Sequence, residues 1–561
     1  MPIFDKKIQL KNYCVLILIC FSFVCPSLVF AQTPQQIVIE NSDFLDKDEN
    51  IIPGAVVLSG NVRINHDGAI ITCNKAYHYK KENYVKAFGN VQIVQGDTLY
   101  LNSTYAEYNG NIKQAFATGN PVMRSPEMTL TTDTINFDRN KQEAYYRSFG
   151  TIVNKDNTLK SKSGKYYVNQ KKFKFLTAVE LTNPKYVIKS NHLDYYSNSG
   201  HSYLFGPSTI TGKDNFIYTE KGFYNSKKNT GHFLRKSYIK YKDRVITGDS
   251  LYYDRRIEFA SATNNVKITD SINKGVIKGH YAELYKQKDS MFVTKHAQAI
   301  NLVEKDSVYI HGKVLMITGK PDNRIIRAFN NARFFKTDLS GKCDSIHSST
   351  KTALTKLIGK PVIWNGENQM TGDVIHLIGD RKTEKLDSLK VLKNAFIASK
   401  DTLGKGYNQV KGLNLYGRFK DNKLYEVDVI KNTEVIYYAY DKLEFVGIEK
   451  KISSRINMQF EDNKVRTMTS FKDIESITYP DKDFSENARE LRGFNWRGDE
   501  FIKSKDDIFP EEERLLHENI LKKSKIENKK ENVPMKIRKE TKDFDRKDKK
   551  RQKAKSEIFD F

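Results

Sequence analysis

No group of residues in this chain has the spacing of a catalytic centre. The sequence holds no His-Glu-x-x-His zinc motif, no Gly-x-Ser-x-Gly nucleophile turn, no phosphate-binding loop and no Cys-x-x-Cys pair. Gly404-Lys405-Gly406 lacks a third glycine at the required distance. His192, His201 and His232 are scattered without ligand spacing and read as strand or loop residues. Asp46-Lys47-Asp48-Glu49-Asn50 opens like a calcium loop, but Ile51 stands where the turn needs Gly and Val57 where it needs Glu, so it reads as a solvated turn. Asp133/Asp138 and Asp249/Asp254 recur in step with a longer repeat, which suits carboxylates that cap turns rather than one acid/base pair. The remaining chemistry is binding: apolar side chains at alternate positions, with Lys and Arg between and around them.

Short strands must position those side chains. The stretch 67–97 shows the pattern: an apolar run 69–73, an alternating segment 75–80, a polar turn at 81–83, and a run broken by Gly89-Asn90 before Val91-Gln92-Ile93-Val94. The break recurs. Gly60, Gly89, Gly119 and Gly150 are 29, 30 and 31 residues apart, and related phrases follow at 205–207, 264–268, 330–332 and 358–362. A second phrase falls between the breaks, at 96–100, 132–137, 190–195, 248–253, 279–285 and 372–377. Two phrases in step mean stacked units, about a dozen of them, none able to bury an apolar face alone. Within their strands Val62 and Ile64, Tyr77 and Tyr79, Val91 and Ile93, and Leu99 and Leu101 each share one face, and Arg63, His78, Gln92 and Tyr100 fall on the other.

The chain has 561 residues and a formal charge of +25, with 31 Tyr and 32 Phe but 2 Trp. Such a charge calls for an acidic partner: nucleic acid, an anionic membrane surface or a phosphorylated lipid. Lys6, Lys7 and Lys11, the apolar run 13–24 and Val29-Phe30-Ala31 read as a secretory signal peptide over residues 1–31. Export disfavours nucleic acid and leaves an anionic envelope glycolipid as the better partner. Three of the five cysteines fall in that segment, and Cys73 and Cys343 lie in different repeats and are not expected to pair.

The expected organisation is a signal peptide (1–31), a polar lead-in (32–50), the repeat array (51–440), a cap closing its last face (441–509) and a charged tail (510–561). Ser348 to Leu357 and Ser485 to Leu491 read as short helical turns. A helix starts at Pro510 with Leu515, Leu516, Ile520 and Leu521 as an apolar stripe, and the chain from Lys522 onward reads as disordered. The fold class is all-β, short antiparallel strands stacked along one axis as two facing sheets or a rolled solenoid.

The Gly-Asn-Val-x-Ile phrases at 60–64 and 89–93 and the Gly-Asp-x-Leu-Tyr phrases at 96–100 and 248–252 resemble the LptA/OstA family of periplasmic lipopolysaccharide-transport proteins, related to the periplasmic domain of LptD. The resemblance is best over 50–300. It implies a β-jellyroll opened into a groove, with acyl chains inside and sugar outside, and with edge strands that pair with other Lpt-type components. Val62, Ile64, Tyr77, Tyr79, Val91, Ile93, Leu99 and Leu101 are then the groove candidates, and Arg63, Lys86, Lys113 and Arg124 the phosphate contacts. No cofactor and no bond chemistry are implied. From the residues alone, a plain closed core stays open as the alternative, in an exported structural or adhesive solenoid without lipid. A polysaccharide-processing enzyme would need a carboxylate cluster that breaks the repeat, and the sequence offers none.

Overall fold

The computed structural model describes residues 35–531, apart from 97–98, 273, 304–305, 384, 422 and 463. The expected signal peptide (1–31) and residues 532–561 lie outside the described residues. The chain divides into two units, Met1–Phe173 and Lys174–Phe561.

In the first unit, Val56–His66, Ala69–Tyr79, Tyr84–Gln95 and Leu99–Asn109 pair antiparallel in chain order. Each bends once. Between the pairs Ser59↔Lys75 and Val62↔Cys73, residues 60–61 lie opposite residue 74 alone. This is a β-bulge, which turns the strand and sharpens its twist. Gly60 and Asn61 have φ of 73° and 45°, Gly89 and Asn90 68° and 47°, Gly119 and Asn120 78° and 56°. Left-handed backbone is free for Gly and more accessible to Asn than to most residues, which is why the repeat is written Gly-Asn. Across the first bend Asp43 N donates to Gly60 O (2.9 Å), and Asn61 Nδ2 donates to Asp43 Oδ2 (2.9 Å).

The bends divide this unit into two half-sheets. One contains 56–59, 75–79, 84–88 and 105–109, then Gln114–Thr118, Thr134–Asp138, Glu143–Tyr146 and Ser163–Tyr167. The other contains 62–66, 69–73, 91–95 and 99–103, then Val122–Ser125, Met128–Thr132, Gly150–Asn154 and Asn157–Ser161. Past Thr118 the bend becomes a complete break, and each long strand is replaced by two short ones. The inner faces meet: His66 Nδ1 lies 2.7 Å from the Tyr108 hydroxyl, buried, one residue from each half.

The second unit repeats the plan from Tyr186–Tyr196 onward, with left-handed pairs at 264–265, 330–331, 359–360, 393–394 and 431–432. The bond set of the bend repeats too: Asp249 N to Asn264 O (3.0 Å) with Asn265 Nδ2 to Asp249 Oδ2 (2.8 Å), and Asp373 N to Lys393 O (3.1 Å) with Asn394 Nδ2 to Asp373 Oδ1 (3.0 Å). At 248–249 and 372–373 the second phrase is the other side of the bend made by the left-handed pair, which is why the two keep step there, whereas the copy at 96–100 precedes its strand's bend, which falls at Thr104.

From Pro480 the second unit's chain leaves the sheets and runs back along the bends as a strap. Phe484 and Leu491 bury against Ile436, Tyr438 and Ile448. Gln409 accepts from Leu491 N (2.8 Å) and donates to Arg489 O (2.7 Å), and Gln369 does the same for Arg497 N (2.7 Å) and Asn495 O (2.7 Å). Helix α1 (Glu511–Glu531) follows, with three acidic residues in its first turn, where the helix dipole favours them. No helix among the described residues is long and apolar enough to cross a membrane, which says nothing of strands.

Several expectations need correction. Tyr77 and Tyr79 lie half-buried on the outer face, while Ala76 and His78 point inward. The bulge opposite Asn74 shifts the phase of this strand by one residue, and a slip of one moves every side chain to the other face. Ser348 to Leu357 is not helical but joins Leu339–Ser349 to Leu354–Ile358 by a turn. At 485–491 only Glu486–Ala488 turns helical. Within 32–50, Val38–Asn41 and Phe44–Asp46 are strands paired to Val56–His66. Strands continue past 440 to Tyr479, and residues 480–509 flank the bends instead of covering the last rungs, which are largely exposed. The helix continues past Lys522, and it docks through Glu513, His517 and Ser524, while Leu515, Leu516 and Leu521 stay exposed.

Candidate functional site

The candidate site is the interior between the half-sheets and the flank opposite the bends, where hairpin turns of the two halves approach each other. In the first unit Val62, Ile64, Val91, Ile93, Leu99 and Leu101 all lie on one inner half-sheet and are buried, Val62, Ile64 and Val91 to 1% exposure or less. Of the eight groove candidates only Tyr77 and Tyr79 are elsewhere. They join an outer aromatic row, Tyr77 against Phe88 (4.8 Å between centroids) and Phe88 against Tyr105 (5.1 Å).

The four basic candidates do not converge. Arg63 Nε is bonded to Glu40 Oε2 (2.7 Å) on the outer surface. Lys86 sits over the Tyr79 ring (5.8 Å). Arg124 is exposed on Val122–Ser125. Lys113 alone belongs to the flank of turns, paired with Asp67 of the facing half, and that bond holds the Asp67 carboxyl below its usual range.

Lys113 is one of a series of clasps along this mouth. In the first unit Arg139 Nη1 donates to His66 O (3.0 Å) and the Tyr108 hydroxyl (2.9 Å), and Nη2 to Asp67 O (2.8 Å). In the second unit Arg255 Nη1 reaches Lys185 O (3.1 Å), Lys286 Nζ reaches Asp214 (3.2 Å), and Arg324 pairs with Asp270. Burial works against the Lys286 charge, but its bonds to Glu258 and Asp214 win and raise it to about 12. Each clasp joins a basic turn residue of one half to the turn of the other. The basic pairs Arg255-Arg256 and Arg381-Lys382 are plain in the sequence. That Arg255 crosses the mouth is not, because the partner is a backbone carbonyl 70 residues away.

Two cavities lie at the mouth of the second unit. One, of about 180 Å³, is lined by Lys213, Asp214, Tyr241, Arg244, Arg255 and Lys286. The other, of about 380 Å³, is lined by inner residues of both halves, among them Ile277, Ala299, Ile310, Ile317, Phe334 and Leu377, with Arg324 at its rim.

The opposite flank holds a cluster of histidines under the strap. His280 Nε2 lies 2.8 Å from His517 Nδ1, the His296 and His517 rings stack at 4.2 Å, and His296 stacks on Phe509 at 3.6 Å. Burial pushes His280 and His311 down to about 4 and His296 down to about 3. Among the described residues no group of three or more His, Cys, Asp or Glu is placed to hold a metal ion. Cys73 and Cys343 are free and buried, and burial raises both thiols, to about 11 and about 12.

Residues 34–191 match the family of OstA-like proteins. Over these residues the chain resembles OstA-like proteins. The OstA-like region thus holds every groove and phosphate candidate read from the sequence. Among solved structures the chain is similar to LptH, the LptA-homologous periplasmic component of the conserved lipopolysaccharide transport device from Pseudomonas aeruginosa, with 17% identity over 26% of this chain and 99% of that one, and a TM-score of 0.20. The fold described above rests on strand register and not on that likeness. No curated protein matches the chain.

Proposed function

We propose that this chain is a periplasmic bridge that binds lipopolysaccharide, or a related glycolipid, and carries it toward the outer membrane. The reading rests on one observation: an OstA-like region built as two half-sheets with apolar inner faces, hinged at bends on one flank and closed by polar clasps on the other. Acyl chains would enter between the halves, each buried CH₂ contributing about 0.8 kcal/mol. Sugars and phosphates would stay at the mouth, where Lys113 and the other clasp cations exchange a carboxylate or carbonyl for a phosphate oxygen. No bond is made or broken, so the driving force comes from elsewhere.

Partners of the Lpt type would add at strand edges. Val38–Asn41 and Phe44–Asp46 form one edge of the first unit, and Lys464–Phe471 with Glu475–Tyr479 form an edge of the second. Exposed edges with unfilled backbone groups are templates for pairing.

A second reading is an exported structural solenoid with a closed core, and the sealed state of Val62, Ile64 and Val91 favours it in the first unit. Native mass spectrometry of the exported protein separates the two. The bridge predicts glycolipid retained at about one or more per chain, and a protein released free of lipid under gentle extraction contradicts it.

A further inference from the structure

The larger cavity carries a built polar rim. Arg324 is 4% exposed and Arg244 9%, and both face one carboxylate, Asp270, itself 8% exposed. Arg324 pairs with Asp270 through Nη1, and Arg244 Nε stands 3.8 Å from it. Nε and Nη2 of Arg324 and Nε of Arg244 are buried with no hydrogen-bond partner. Asp243 faces the pair from the neighbouring turn with its own Oδ2 also unfilled, so the charges balance while the guanidinium donors and that carboxylate oxygen go without partners. Burying a donor without an acceptor costs about 1–3 kcal/mol, more for a charged group. Two arginines held this way, between an apolar cavity of about 380 Å³ and a second one that Arg244 lines, are poised for an acceptor that arrives with a ligand. The larger volume falls within the roughly 300–1,000 Å³ of small-molecule sites.

We infer that Arg244 and Arg324 bind the phosphate of an acyl-chain amphiphile whose hydrocarbon fills the cavity lined by Ile277, Ala299, Ile310, Ile317 and Phe334. Lys336 and Arg381 stand on the same rim with Asp380, and together they add one net positive charge. The site lies outside the OstA-like region, and it rests on the reading above that the interior takes acyl chains. A phosphate oxygen would complete the three unfilled N–H groups, which a neutral alcohol head does poorly.

The test is calorimetric titration of the exported full-length protein with dodecyl phosphate, dodecanol and inorganic phosphate. Dodecyl phosphate is expected to bind roughly tenfold or more tighter than dodecanol, the scale of hydrogen bonds to charged groups. Inorganic phosphate alone is expected to bind far more weakly than dodecyl phosphate. Arg324→Gln and Arg244→Gln should each collapse the ratio between dodecyl phosphate and dodecanol, and Ala299→Phe, which fills the cavity, should weaken both. Equal affinity of the wild type for the two dodecyl compounds overturns the phosphate contact and leaves the bridge intact, as does equal binding of inorganic phosphate. If neither dodecyl compound binds while glycolipid still co-purifies, the cavity is not a lipid site and the bridge again survives. Absence of co-purified glycolipid is the separate failure of the bridge. The wild-type comparison decides even where an arginine variant fails to fold.

Discussion

The two flanks of the second unit are built on opposite principles. At the bends, backbone and side-chain groups satisfy each other locally: Asp249, Asn264 and Asn265 close one bend, Asp373, Lys393 and Asn394 another, and the strap covers the first of these by inserting Ser524 Oγ between Asp249 Oδ2 (2.6 Å) and Asn265 Nδ2 (2.8 Å). At the mouth, long side chains reach across to carbonyls and carboxylates of the facing half, leave guanidinium N–H groups unfilled, and border cavities. In the bridge proposed above, the first flank would serve as a hinge and the second as a fastening. Contacts that open are drawn from the less stable ones of a structure, and the part-exposed Lys286–Asp214 clasp costs little to break, whereas the buried Arg324–Asp270 pair would stay closed.

Breaking the hinge should cost most. Gly359 has φ of 80° and its missing Cβ would run into Asp344, so Gly359→Val is expected to destabilise the second unit by about 2 kcal/mol or more, seen as a lower denaturant midpoint. A midpoint unchanged within error would mean that the bends are not structural.

The strap should respond to acid. His280, His296, His311 and His517 are all held below the usual value of 6.5, chiefly by burial, with Asp249, Lys278, Lys295, Arg333, Glu513 and Glu518 as the charged groups facing them. Lowered histidines take up protons more readily once the strap leaves. Docking is therefore fully supported above pH 6.5 and weakens as pH falls through 6.5 toward 4. Glu513, raised by burial, offsets part of this near its own range. Hydrogen exchange in helix α1 should be faster at pH 5.5 than at pH 7.5, and a rate difference absent after correction for intrinsic exchange contradicts it. Ser524→Ala should loosen the same helix by about 1 kcal/mol at neutral pH.

Loosening the fastening should cost least. Lys286→Ala removes one clasp to Asp214 and Glu258, and the loss of stability is expected at about 1 kcal/mol or less, while uptake of an apolar fluorescent probe rises. A large loss of stability with no change in uptake would make the mouth structural rather than openable.

Much of the hinge was legible in the sequence and little of the fastening. Gly60-Asn61, Gly89-Asn90 and Gly119-Asn120 announce themselves because few residue types tolerate left-handed backbone. Val62, Ile64, Val91 and Ile93 read correctly because alternation survives between bends. Tyr77 and Tyr79 did not, because the bulge at Asn74 shifts the phase by one residue and leaves no mark in residue type. The strap looks like a cap in the sequence because its anchors, Gln369 and Gln409, are ordinary strand residues until their backbone partners arrive from residues 489–497. Arg324 belongs to no motif, and only the fold brings it to Asp270.

The most direct test is photo-crosslinking in cells at adjacent positions of one strand. A crosslinker replaces Val91 or Ile93, both inward and buried, and separately Gln92, exposed on the other face. Glycolipid adducts at 91 and 93 but not at 92 are the predicted result. A folded, exported protein that yields adducts at neither inward position would contradict passage of lipid between the half-sheets of the OstA-like region.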